Sequence, residues 1–142
     1  MMKMTQQLSP TLTFIMPIQE KEDSLVEQIA TMFTISESYS GLCEIIMIGN
    51  GAEDKAIKLA WLTLQLNKIR HPLVRTKMIL YTSQLSINDL IETGINHALG
   101  QKIIVATTNP EKVKIEKIDG LMGRDISLTE SILNPKALEE IL

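Results

Sequence analysis

The chain of 142 residues holds one cysteine, Cys43, which excludes an internal disulfide and any multi-cysteine zinc site. It lacks an excess of basic charge: 14 Lys and Arg stand against 17 Asp and Glu, for a net charge of −3. A general nucleic-acid binder would show a basic face, so that class is set aside. A small phosphorylated ligand needs only a few local donors and stays open. No window approaches the roughly 18 uninterrupted apolar residues of a membrane span. The leader, residues 1–10, is polar with one Lys and has no apolar stretch of signal-peptide length. The expected compartment is the cytoplasm. There is no internal repeat, no low-complexity tract and no G-x-S-x-G nucleophile motif.

What is present is an ordinary globular composition, 44% hydrophobic and 22% charged. The length suits one domain, residues 11–142 behind the leader, able to bury roughly two thirds of its unfolded surface. Four short apolar runs read as strands: 12–16 ended by Pro17, 44–48, 78–81 and 102–107. Helical spacing predicts helices over 23–33, 52–66 and 87–99. Ser86 caps the third, with Asp89 at the capping-box position, and Gly100 is expected to close it. Cys43 opens an apolar run and reads as a small buried residue. Trp61 lies among leucines and reads as core. The alternation β-α-β-α-β-α-β predicts an α/β fold with a mostly parallel sheet buried on both faces. Residues 112–118 fit an edge strand or a helical face equally, and 131–142 read as a short helix broken at Asn134-Pro135.

In such a sheet the ligand sits beyond the carboxyl ends of the strands, where strand order reverses. Pro17-Ile18-Gln19-Glu20, Gly49-Asn50-Gly51 and Thr107-Thr108-Asn109 fall there. Phe14 to Glu20 with Glu22-Asp23-Ser24-Leu25 is similar to the opening strand and P-x-Y-N-E loop of the family 2 glycosyltransferases. These are nucleotide-diphosphosugar transferases of the GT-A fold. Glu44 to Ala52 resembles their E-I-I-V-V-D-D-G-S, and Ser86 to Gly100 resembles their N-x-G-x-x-x-A-x-N-x-G-x-x-x-A-x-G segment. Ile103 to Asn109 falls where they carry D-x-D. The resemblance spans about residues 11–120. It implies a three-layer sandwich of order 3-2-1-4, like the nucleotide-binding half of the GT-A fold. It also implies a nucleoside diphosphate or nucleotide-sugar at Pro17, Ile18, Gln19, Glu20, Gly49, Asn50, Gly51, Thr107 and Asn109.

The departures from the family are chemical. Gly49 and Asn50 stand where the family's acids hold the nucleoside, and Thr107 and Asn109 where its carboxylates bind the metal. A threonine and an amide are poor ligands for Mg²⁺ or Mn²⁺, so neither a metal nor a cofactor is expected. The half that carries the family's acceptor site and general base falls outside the match. Three readings follow. The first is a glycosyltransferase-like domain without transfer activity, acting as a nucleotide-binding or interaction module. The second is an active enzyme with a metal-independent or partner-completed site. The third is a structural protein without a ligand. His71 and His97 have no carboxylate pair at ligand spacing, and the lysines 112, 114 and 117 alternate with acids like a solvated face. The fourth strand is expected to leave an unpaired apolar edge, covered by 113–118 or by the second chain of a homodimer.

Overall fold

The four apolar runs form the parallel strands expected of them, and a fifth strand joins their end. The computed structural model describes residues 10–18, 25–39, 41–50, 55–83, 85–107 and 124–129. Its elements are β1 (Leu12–Ile18), α1 (Leu25–Ser38), β2 (Cys43–Asn50), α2 (Lys55–Arg70) and β3 (Arg75–Tyr81). They continue with α3 (Ile87–His97), β4 (Lys102–Ala106) and β5 (Asp125–Thr129). The sheet order is β3-β2-β1-β4-β5, and every ladder is parallel. α1 and α2 cover one face and α3 the other. Right-handed crossovers produce this arrangement: two steps outward over one face, then a return over the opposite one.

β1 is buried along its whole length and β2 along all but its last residue. Phe14, Met16, Ile45 and Met47 meet Ile29, Met32 and Phe33 of α1 and Ile57 and Leu64 of α2. Ile15, Ile46, Ile48, Ile103 and Val105 meet Leu90, Ile91 and Ile95 of α3. Two dry faces explain why the strands read as apolar runs without alternation. β1 does not stop at Pro17. It pairs with β2 as far as Ile18↔Gly49, but its ladder with β4 ends at Ile15↔Val105. A residue without an N–H is tolerated past the end of that ladder.

One polar network lies inside this apolar sheet. The fully buried Glu44 accepts a hydrogen bond from Thr13 Oγ1 at 2.8 Å and from Leu99 N at 2.6 Å, both at Oε1. Thr13 Oγ1 in turn accepts from Gly100 N at 2.9 Å. Thr13 and Glu44 are register partners, so the α3–β4 connection is pinned across β1 and β2. α3 begins as expected, with Asp89 N donating to Ser86 Oγ. Its end differs: the helix stops at His97 and Ala98 turns extended. Gly100 is two residues too late to close it. Gly100 is required instead by a close approach, since a Cβ there would lie 2.8 Å from Thr13 N and 2.9 Å from Leu12 C. The last carbonyls of α3 are met by cations from two strand segments: Lys77 Nζ donates to His97 O and Arg124 Nη1 to Ile95 O, each at 3.0 Å. Positive charge suits a helix C-terminus.

Two expectations are corrected. β4 has no open edge, because β5 pairs with it from Lys102↔Asp125 to Ala106↔Thr129. The argument for a homodimer through β4 therefore has no basis, and residues 112–118 and 131–142 lie outside the described residues. Trp61 is not core: it is 50% exposed, and Leu59, Leu62, Leu66 and Ile69 are exposed too. Only Ile57, Ala60, Thr63 and Leu64 of α2 are buried, so its apolar circumference is wider than its contact face. No described helix is long and apolar enough to cross a membrane.

Gly94 and Gly100 give the sharpest stability test. A Cβ at Gly94 would sit 2.8 Å from Ile15 Cγ2 and 2.9 Å from Ile48 Cδ1. Helix propensity favours Gly94→Ala by about 1 kcal/mol, but overpacking a closed core costs about 1–3 kcal/mol. Urea unfolding should show Gly100→Ala, which collides with backbone, to be the more damaging of the two. Equal stability to the unsubstituted protein would contradict this packing.

Candidate functional site

Strand order reverses between β1 and β4, so the crevice of interest opens beyond Ile18 and Ala106. The structure brings Pro17, Ile18, Gly49, Asn50 and Thr107 to this end of the sheet. Gln19, Glu20, Gly51 and Asn109 lie outside the described residues. Pro17, Ile18, Gly49 and Thr107 are buried. The strand ends themselves, Ile18, Asn50, Tyr81 and Thr107, carry neither a carboxylate nor an imidazole.

The end of β2 is occupied by the protein itself. A Cβ on Gly49 would meet Ile57 Cδ1 at 2.9 Å and Cγ1 at 3.1 Å, with Ile18 Cβ at 3.4 Å. Ile57 of α2 fills the space into which a larger side chain at position 49 would project. Asn50 faces the other side of the sheet and is spent on its own fold. Its Nδ2 donates to Leu85 O at 3.1 Å, and Leu85 N donates to its Oδ1 at 3.3 Å. A carboxamide closing on one residue's N–H and C=O fixes the loop that leads into α3. An aspartate could make only one of those two bonds.

No family model matches the chain, and no curated protein gives a significant match. The reading of the site rests on its residues.

A cavity of about 260 Å³ lies at the opposite end of the sheet, between the C-terminal ends of α1 and α2. Glu37, Tyr39, Cys43, Arg70 and His71 line it. His71 Nδ1 lies 2.6 Å from Glu37 Oε2, out of line for a hydrogen bond, and its ring stands 5.7 Å from that of Phe33. Sequence spacing did not reveal this pair, because Glu37 lies on α1 and His71 follows the end of α2, 34 residues later. Cys43 is buried, as expected of it. Burial pushes its thiol above the usual pKa of 9.0, against the opposing effect of hydrogen bonding to Ser36. A thiol kept neutral is not an activated nucleophile, whatever its neighbours. Among the described residues, no group of three or more His, Cys, Asp or Glu side chains is placed to hold a metal ion.

Two measurements check these placements. Asn50→Asp loses the donor to Leu85 O and sets a carboxylate against that carbonyl. It should cost about 1–2 kcal/mol in urea unfolding, and an unchanged midpoint would show that the tether carries no stability. Cys43 should react with a thiol reagent at least about tenfold more slowly in the native protein than in urea. The raised folded-state pKa implies a contribution to stability that is present below pH 9.0 and lost as pH rises past it. Cys43→Ala should flatten that alkaline decline, and a decline of the same depth would place its origin elsewhere.

Proposed function

We propose that this chain is a glycosyltransferase-like α/β domain that does not transfer sugar and serves as an interaction module. The observation that carries the proposal is the use of Gly49 and Asn50. The resemblance puts the nucleoside-holding acids at these two positions. Here one position is closed by Ile57 and the other is bound to Leu85. Thr107, at the first position of the D-x-D match, is a buried neutral side chain. Neutralising a leaving nucleoside diphosphate takes a metal or several cations, and the described strand ends Ile18, Asn50, Tyr81 and Thr107 carry no carboxylate to hold a metal and no basic side chain. The strand order β3-β2-β1-β4 agrees with the resemblance, although many α/β proteins of other functions share such a sheet.

The test is a thermal-shift and calorimetric titration with uridine, guanosine, cytidine and thymidine diphosphates, each with and without Mn²⁺. The expected result is no saturable response. Binding at 100 times the dissociation constant would stabilise the fold by about 2.7 kcal/mol, a shift of several degrees in a domain of this size. A shift of that size, abolished by Asn50→Ala, would overturn the proposal and restore a nucleotide site.

A further inference from the structure

We propose that the outer face of α2 and the free edge of β3 form a two-fold interface with a second copy of this chain. This deepens the interaction reading by naming the partner. A failed dimer test would leave the nucleotide result untouched, so the two can fail separately.

The surface is an exposed apolar groove beside a strand edge. Trp61, Leu62, Leu80 and Met78 line a groove of about 350 Å³ between α2 and β3, with Lys58 as its one charged side chain. The backbone edge of β3 adds to this. With a single cation in the groove, charge favours neither an acidic nor a basic macromolecule.

A second copy also fits the strand edge. Among the described residues β3 is the last strand on its side, so one row of its N–H and C=O groups faces outward. A two-fold axis perpendicular to the sheet would pair β3 with itself antiparallel and keep both α2 helices on one face. Paired residues must then point to the same face, which restricts the register to even offsets. Centring it on Met78 sets Arg75 across from Tyr81, Thr76 from Leu80 and Lys77 from Ile79. No like charges stand directly opposite each other. The same axis brings the two grooves, and so the two Trp61 side chains, toward one another. The other edge, β5, is shorter, and its Asp125 forms an ion pair with Lys102. β3 is the better-suited edge.

Trp61 is the chain's one tryptophan, so its fluorescence reports this surface alone. The experiment follows its emission, and mass by sedimentation equilibrium, from nanomolar to about 100 micromolar full-length protein. The expected result is a dimer mass at the upper end, with emission shifting to the blue over the same concentrations. Leu62→Glu and Leu80→Lys, both on exposed positions, should each weaken association by about tenfold or more and leave the circular dichroism unchanged. A monomer throughout would overturn the proposal. So would blue emission that does not depend on concentration, which would mean that the chain covers its own groove. A dimer indifferent to both substitutions would place the interface elsewhere and overturn it as well.

Discussion

The buried carboxylate of Glu44 is the constraint around which the sheet is assembled. A side chain with no exposed surface at the start of β2 is costly unless its oxygens are bonded. Both bonds go to Oε1, from Thr13 on β1 and from the backbone N–H of Leu99, with Gly100 bonded through Thr13, while Oε2 is buried without a partner among the described residues. Three pieces of chain distant in sequence are therefore held at one level. The level at which β4 enters beside β1 follows from it, with Leu12 opposite Lys102. Hydrophobic burial supplies most of the stability but is indifferent to a slip of two residues. A hydrogen bond at 2.6 Å is not.

At the opposite end of the strands, positions that could face a ligand are absorbed into packing. Gly49 lets Ile57 approach the sheet, and Asn50 binds the loop before α3. Both arrangements strengthen local structure where an open crevice would weaken it. In the cavity between α1 and α2, burial raises the pKa of the Cys43 thiol.

Much of the fold was legible because β1, β2 and β4 are buried on both faces and leave unbroken apolar runs. β5 was not. An edge strand of five residues places only Ile126 and Leu128 against the core, and so weak a pattern was lost beside the stronger alternation of 112–118. The leucines of α2 misled for the opposite reason. Periodicity shows that a helix is apolar, but not how much of its circumference a sheet will cover. At the site, the sequence showed that positions 49 and 50 carry no acid. It could not show what Asn50 binds, since Leu85 lies 35 residues away.

The cations at the end of α3 have a consequence for how the molecule comes apart. Lys77 belongs to β3 and Arg124 directly precedes β5, so the two outermost strands grip the same helix end from opposite sides. α3 acts as a tie-bar across the width of the sheet. Such a sheet does not fray inward from one margin strand by strand, because loosening either margin also loosens the helix that holds the other. Amide exchange in β3, α3 and β5 should then share one opening free energy, as a single cooperative unit laid across the fold rather than along the chain.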